Sequence, residues 1–278
     1  MPQLNNISIE KLTRLLGTPG APALVDVRTS AAFDADPRLI PGAVRRDAAT
    51  IVDWAATLAG RAAILIGDDG GAASEGAAAW LRQESCDAEA LEGGYTAWRA
   101  AGLPLVPEAS LPRRDAAGRT TWVTRARPKV DRIACPWLIR RFVDPHARFL
   151  FVPASEALAV AAEFDAAPFD ISAEGVHWSH RGELCTFDVM VEEFGLAGIA
   201  PLARLAVIVR GADTDRVDIA PQAAGLLALS LGLSRMFSDD IAQLEAGMPL
   251  YDALYRWCRD AVDETHNWDS HAPRKARK

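Results

Sequence analysis

The sequence predicts two domains in series, an α/β domain followed by an α-rich α+β domain. With 278 residues the chain is long for one ordinary domain and suits two. Through roughly the first hundred residues, short apolar runs alternate with helical stretches. This alternation is typical of a parallel sheet with helices on both faces. Beyond residue 186 the pattern is almost entirely helical.

In the first domain, the strand candidates are residues 23–27 and 63–66, and the helix candidates are residues 8–16 and 76–82. The strand candidates are short apolar runs of the kind found in buried parallel strands. Ser8 and Ser74 are candidate N-caps for the two helices. We assign residues 1–106 to this domain, 107–120 to a proline-containing linker, 121–262 to the second domain and 263–278 to a disordered polar and basic tail.

In the second domain, strands are predicted at residues 121–123 and 149–152, and a helix at about 131–143. Residues 176–185 have the pattern of a β-hairpin with its turn at Arg181-Gly182. Five further helices are predicted at 188–195, 200–211, 221–231, 238–246 and 250–262. The second domain is therefore expected to be α-rich, with a small β component.

Composition and charge favour a cytoplasmic protein. Residues 1–10 are polar and carry no export signal, and no apolar run is long enough to cross a bilayer. The four cysteines are far apart, which suits a reducing compartment better than a disulfide framework. A net charge of −7 opposes nonspecific binding to nucleic acid or to an anionic membrane.

Two motifs of the first domain resemble those of rhodaneses. The stretch 24–28 (LVDVR), followed by Phe33 and by 40–43 (IPGA), resembles the opening of a rhodanese domain, and 91–98 (LEGGYTAW) resembles its closing motif. The resemblance implies a rhodanese-like fold. In that family the active loop begins with a cysteine, and backbone N–H groups stabilise its thiolate or persulfide.

The active loop departs from the rhodanese pattern, because Gly67 stands where the cysteine is expected. Asp68 and Asp69 follow, so the loop has no thiol and carries negative charge where an anion would bind. We predict that the domain has no sulfurtransferase activity and serves packing, interaction or regulation. A different small-ligand function for the loop remains open.

From Trp122 to Asp260 the chain resembles the C-terminal domain of the chromate-resistance family, the ChrB type. The stretches that carry the resemblance are 122–125 (WVTR), 127–129 (RPK), 131–141 (DRIACPWLIRR), 179–180 (SH), 185–188 (CTFD), 209–214 (VRGADT), 250–251 (LY) and 255–258 (YRWC). The resemblance implies a part in chromate resistance. Some members of the family are described as chromate-responsive regulators and others as resistance-associated proteins.

The stretch 125–141 carries six cationic side chains and one acid, Asp131. Arginine forks suit tetrahedral oxyanions such as chromate, because they offer paired N–H donors. The candidate oxyanion-binding residues are Arg125, Lys129, Arg132 and Arg140. The alternative is that these cations neutralise acids elsewhere in an acidic protein.

A second polar group contains His, Cys and carboxylate side chains, with His180, Cys185, Asp188 and Asp213 as candidate metal ligands. This mixture of donors suits zinc or iron. The alternatives are structural: Asp188 favours a helix N-terminus, Cys185 is a small buried residue, and Asp213 pairs with a nearby arginine.

Three functions remain open from the sequence. We favour a cytoplasmic chromate-resistance protein whose second domain binds an oxyanion, a metal ion or both, with redox chemistry as an option. The alternatives are a chromate-responsive transcriptional regulator and a partner-binding scaffold. The regulator is disfavoured by the negative net charge and by the lack of a recognisable helix-turn-helix pattern. No feature of the sequence sets the oligomeric state.

Overall fold

The computed structural model describes residues 5–265. It confirms the predicted fold class: an α/β domain with a parallel sheet, then an α-rich domain with a small parallel sheet. Most of the predicted basic tail, residues 266–278, lies outside the described residues. Within the described part of the chain, no helix combines the length and apolar content that a membrane crossing requires.

The N-terminal sheet has five parallel strands in the order β1-β6-β5-β2-β4. These strands are β1 (Asn6–Ile7), β2 (Ala23–Asp26), β4 (Ala43–Arg45), β5 (Ala62–Ile66) and β6 (Asp87–Leu91). A separate antiparallel pair joins β3 (Arg38–Leu39) to β7 (Val106–Pro107). Since β7 includes the first residue of the predicted linker, that segment begins in contact with the N-terminal domain.

The helices of this domain are α1 (Ile9–Leu15), α2 (Ser30–Ala35), α3 (Ile51–Trp54), α4 (Ala72–Gln83) and α5 (Gly94–Ala100). They cover both faces of the sheet, because consecutive residues of β5 belong to two different apolar cores. Ile64 and Ile66 pack in the core that contains Leu12 of α1, while Leu65 packs in the core that contains Leu81 of α4. Alternation of side chains along a strand produces this arrangement.

The two predicted N-caps have different outcomes. The Ser8 hydroxyl accepts a hydrogen bond from the Lys11 backbone N–H at 3.3 Å, which confirms the cap of α1. The Ser74 cap is wrong, because α4 begins two residues earlier, after Gly71. The Asp69 carboxylate accepts from the Gly71 N–H at 2.9 Å and holds the chain in a turn before the helix.

The C-terminal domain has a three-stranded parallel sheet in the order β10-β8-β9. Its strands are β8 (Thr121–Arg125), β9 (Arg148–Val152) and β10 (Ala167–Pro168). Its helices are α6 (Val130–Phe142), α7 (Ala157–Glu163), α8 (Thr186–Glu193), α9 (Ala200–Asp213), α10 (Ala223–Met236) and α11 (Asp240–Asp260). One apolar core joins α6, α8, α9 and α11, so this domain is a helical assembly with the sheet on one side.

The predicted hairpin at 176–185 is wrong. Only a single antiparallel bridge, between Arg181 and Leu184, forms there in the described structure. The segment instead bonds to the chain that follows β10: the Trp178 carbonyl accepts from the Asp170 N–H, and the Ser179 hydroxyl donates to the Ile171 carbonyl. Because its backbone partners lie there, the segment forms a loop beside α8.

The two domains meet where the strands of the N-terminal sheet begin. The Gly42 N–H, just before β4, donates to the Phe142 carbonyl at 2.6 Å. Gly17, between α1 and β2, has a φ of +72° and lies against the Phe142 ring; a Cβ there would be 2.2 Å from the ring carbon Cζ. The carboxyl ends of the strands, where Gly67 lies, are at the opposite edge of the sheet.

Candidate metal centre

Three carboxylates surround one imidazole inside the C-terminal domain. The His180 Nε2 atom lies 3.2 Å from Asp213 Oδ2, 3.5 Å from Asp170 Oδ1 and 3.7 Å from Asp131 Oδ2. Ligand atoms of Asp131, Asp170 and His180 all lie within 4.8 Å of one another, so these three residues could hold a metal ion. We refer to Asp131, Asp170, His180 and Asp213 as the Asp–His cluster.

Two of the carboxylates lie at helix ends, which fix their positions. Asp131 is the second residue of α6, and its Oδ2 accepts from the Phe187 N–H in the first turn of α8 at 3.2 Å. Asp213 is the last residue of α9, and its Oδ1 accepts from the Asp131 N–H at 3.2 Å. Each carboxylate thus satisfies a free N–H group at a helix start, and this fixes where the charge lies.

Asp170 and His180 come from irregular segments on the other side of the cluster. Asp170 follows β10 with a left-handed backbone, φ +49°, and its Oδ1 accepts from the Thr186 hydroxyl at 3.2 Å. A non-glycine residue in this conformation is strained, and such strain is common at functional sites. The His180 side chain is 40% exposed, so the cluster has one side open to solvent.

Charge and burial make the cluster costly without a cation. Burial, together with the charges of Asp213 and Asp170, raises the pKa of Asp131 well above its usual value. Hydrogen bonds to Asp170 and Asp213 raise the pKa of His180 to about 10. The Asp131 Oδ1 atom is buried and has no hydrogen-bond partner in the described structure. Buried carboxylate oxygens are normally satisfied, so an unpartnered one is unusual; the oxygen of Asp131 that approaches His180 is Oδ2.

Two of the predicted oxyanion-binding residues lie beside the cluster. Both Arg125 and Arg132 approach Asp170 Oδ2, each at 3.2 Å. Burial opposes ionisation of Asp170, but His180 and the two arginines hold its pKa below the usual value. The Arg125 side chain is 41% exposed, whereas Arg132 is mostly buried and also donates to the carbonyls of Arg125 and Ala126.

The other two predicted oxyanion-binding residues lie elsewhere. Arg140 pairs with Glu245 at 2.6 Å, and its guanidinium lies over the Phe149 ring. Lys129 is exposed and lines a shallow surface depression together with Arg127. The sequence therefore grouped four cations that the structure distributes over three places.

The four predicted metal ligands do not all lie together either. The structure brings His180 and Asp213 together in the cluster. Asp188 Oδ2 accepts from the Cys185 N–H at 3.1 Å and lies 3.8 Å from Arg210 Nε, so this carboxylate serves the start of α8. The Cys185 thiol is fully buried, and burial raises its pKa, with Asp131 and Asp188 adding to the effect.

Asp131 and Asp170 were not among the predicted ligands. The sequence could have indicated Asp131 as a functional residue, because it is the single acid among six cations and lies on the apolar face of a helix. Asp170 follows a strand of two residues, and nothing in its local sequence marks it.

The loop of the N-terminal domain is closed tightly by its neighbours. The carbonyls of Gly67 and Asp68 accept from the N–H groups of Tyr95 and Thr96 at 2.9 and 2.8 Å. A Cβ on Gly67 would lie 2.8 Å from the Ser74 hydroxyl oxygen. The thiol of Cys86 donates to the carbonyl of Arg61, before β5, and therefore lies at the opposite end of that strand from the loop.

These features define a two-domain protein: an α/β module whose loop has no thiol, and an α-rich domain with a buried Asp–His cluster. Residues 8–101 match the family described as the rhodanese-like domain, and residues 122–258 match the family described as ChrB, C-terminal domain. The chain is therefore similar to the ChrB C-terminal domain over residues 122–258 and to the rhodanese-like domain over residues 8–101.

Among curated proteins, the chain is similar to Protein ChrB of Cupriavidus metallidurans. The two are 36% identical over 157 residues, which is 55% of this chain and 46% of that protein. The chain thus matches about half the length of this relative.

Among solved structures, similar chains include a rhodanese-related protein from Thermoplasma volcanium, 22% identical, covering 38% of this chain and all of that one, with a TM-score of 0.33. A thiosulfate sulfurtransferase from Pseudomonas aeruginosa is 28% identical and covers 38% of this chain and 20% of that one, also with a TM-score of 0.33.

Proposed function

We propose that the C-terminal domain binds one divalent metal ion in the Asp–His cluster and that this ion, with Arg125, holds a small oxyanion such as chromate. The protein would then act in chromate resistance, as its similarity to the ChrB C-terminal domain suggests. The observation that carries the proposal is the convergence of three carboxylates on one imidazole, with the buried Asp131 Oδ1 left unpartnered. Buried carboxylates repel one another and have little reason to cluster without a cation.

The donor set favours iron(II) or manganese(II), with zinc as the third candidate. Carboxylate oxygens suit harder ions and imidazole suits borderline ones, so a mixture of both fits the middle of the first-row divalent series. Cys185 is not one of the three residues whose ligand atoms lie within 4.8 Å of one another, so the cluster offers oxygen and nitrogen donors. The three protein donors leave positions for water or an oxyanion on an ion that prefers six ligands.

Arginine charge beside the cluster supports the oxyanion part of the proposal. Arg125 is the exposed partner of Asp170, at 41% side-chain exposure, and it can contact an anion that enters from the open side. Lewis-acid polarisation by a bound ion, together with an arginine fork, is a common way to hold a tetrahedral oxyanion. Arg132 is held by backbone carbonyls and mainly fixes Asp170.

The competing interpretation is that His180 is itself the cation. With its pKa raised to about 10, a protonated imidazole balances the carboxylates without a metal ion. The two interpretations differ in metal content, and this can be measured on the full chain.

The test is metal analysis of the purified chain, followed by calorimetric titration of the metal-free protein with Mn²⁺, Zn²⁺ and, anaerobically, Fe²⁺. We expect one ion per chain, with binding lost in Asp131→Asn and His180→Ala. Asp165→Asn, an exposed carboxylate paired with Arg113, is the matched control and should bind like wild type. Asp188→Asn should also keep the metal, because this residue serves α8. A folded wild-type protein that binds none of the three ions would refute the proposal.

A further inference from the structure

A cavity of about 720 Å³ lies between the two domains, at the edge of the N-terminal sheet where the strands begin. Its N-terminal walls come from the segment between α1 and β2, from residues 41–46 around β4 and from the chain before β5. Its C-terminal walls come from residues 117–119, from the end of α6 with the turn that follows, and from α11. The contacts of Gly17 and Gly42 with Phe142 close one side of it. Cavities of this volume at domain boundaries are frequent sites for small ligands.

The cavity is rich in cations. Five arginines and one histidine line it, with Glu245 as the single acid: Arg46, Arg61, Arg119, Arg140, Arg141 and His146. Some of this charge is already paired, because Arg140 contacts Glu245 at 2.6 Å and Arg141 contacts Asp252 at 2.8 Å. In a chain of net charge −7, a cavity wall of this composition indicates an anionic ligand.

Arg46 and Arg61 supply the free donors. Over residues 5–265, neither guanidinium has a carboxylate within ion-pair distance or a side-chain hydrogen bond. Both come from the N-terminal domain, whereas Arg140 and Arg141, which also line the cavity, come from the C-terminal domain. Guanidinium forks with free donors suit phosphate groups, which accept two parallel hydrogen bonds.

The rest of the N-terminal wall is apolar. Pro19, Pro22, Trp54 and Leu58 line it beside the arginines. An inorganic anion would contact the arginines but not this apolar wall. A ligand with an apolar body and an anionic group would contact both parts of the wall.

We propose that the interdomain cavity binds an organic phosphate of nucleotide size, with its phosphate on one of the two unpaired arginines, Arg46 or Arg61, and its apolar body against Trp54 and Leu58. Within the described chain, none of the Asp–His cluster residues lines the cavity, so this site is separate from the metal centre. Because both domains form its walls, the ligand bridges them.

The experiment is calorimetric titration of the full chain with AMP, with adenosine and inorganic phosphate as the two half-ligands. We expect AMP to bind at least about tenfold more tightly than either half-ligand. At least one of Arg46→Ala and Arg61→Ala should weaken AMP binding by roughly ten- to a hundredfold, the usual effect of losing a charge-assisted contact. Neither change breaks an ion pair, and thermal denaturation should confirm that both variants fold.

Two control variants show whether the effect is specific to the cavity. Arg113→Ala removes an arginine whose side chain is 84% exposed, outside the cavity, and should leave AMP binding unchanged. Asp131→Asn should also bind AMP normally, which separates this site from the proposed metal centre. The inference is overturned if AMP does not bind at millimolar concentration, if inorganic phosphate binds as tightly as AMP, or if the Arg46→Ala/Arg61→Ala double variant keeps wild-type affinity.

Discussion

Replacing Asp131 by asparagine should stabilise the metal-free protein and at the same time remove its stabilisation by metal. Asparagine has nearly the shape of aspartate and keeps an oxygen for the Phe187 N–H. It removes one of three negative charges from a site in which Asp131 is 1% exposed. Its amide N–H₂ group can donate to the remaining carboxylates, so the change leaves no new unsatisfied donor.

The magnitude follows from the distances. At an effective dielectric constant of about 20, charges 4.8 Å apart interact by about 3.5 kcal/mol and charges 3.7 Å apart by about 4.5 kcal/mol. Repulsion of Asp131 by Asp170 therefore offsets most of its attraction to one protonated His180, and Asp213 and burial add to the cost. After relaxation of the site, we expect a gain of about 1–2 kcal/mol in the free energy of unfolding, or about 2–8 °C in Tm.

The assay is thermal and urea denaturation of both proteins, with chelator and with Mn²⁺. With chelator the variant should be the more stable. With metal at a thousand times its Kd, wild type should gain about 4 kcal/mol and the variant nothing, so the order reverses.

The difference in stability between the variant and wild type should depend on pH in a defined direction. The folded-state pKa of Asp131 lies above its unfolded value, so its destabilising effect grows as pH rises above the unfolded pKa, near ~3.9. The difference between variant and wild type should therefore disappear in acid. A variant that is less stable in chelator at neutral pH, or that gains as much as wild type from metal, would refute the reasoning.

The remaining predictions concern the loop at Gly67, the arginines Arg125 and Arg140, and the interface between the domains. The chain should show no thiosulfate:cyanide sulfurtransferase turnover, and Gly67→Cys should not restore it because the new Cβ would lie 2.8 Å from the Ser74 hydroxyl oxygen; cyanolysis assays of both proteins check this, and turnover by either contradicts it. Arg125→Ala should weaken sulfate or molybdate binding to the metal-loaded protein about ten- to a hundredfold, whereas Arg140→Ala should not, since Arg140 pairs with Glu245; equal effects in titration would count against the assignment of Arg125. Gly17→Ala should cost about 2–4 kcal/mol from left-handed strain and collision with Phe142, measured by urea denaturation, and a loss below ~0.5 kcal/mol would contradict this.

The fold class could be predicted because the signals that define it are local. The apolar runs at 23–27 and 63–66 became β2 and β5, and alternate residues of β5 face two separate cores, as a sheet covered on both faces requires. The Ser74 cap failed because the Asp69 turn ends at Gly71 and the helix begins directly after it. The 176–185 hairpin failed because its backbone bonds to the chain around Asp170, which the local pattern does not reveal.

The Asp–His cluster could be predicted only in part. His180 and Asp213 were candidates because of their chemistry, and their contact at 3.2 Å depends on the packing of α9 beside the 176–185 loop. The position of Asp170 depends on its own left-handed backbone after a very short strand, and no periodic sequence pattern predicts such a conformation. Asp131 is separated by 82 residues from Asp213, the carboxylate that accepts from its N–H, and no local motif encodes such a distance.

The polarity of the N-terminal sheet has an evolutionary consequence. All five strands run in one direction, so the sheet has two chemically independent edges. The loop at Gly67 is at one edge, and the contacts of Gly17 and Gly42 with the C-terminal domain are at the other. Substitutions can therefore accumulate in the loop without disturbing the contacts between the domains. Sequence drift among related chains should therefore concentrate at the loop edge.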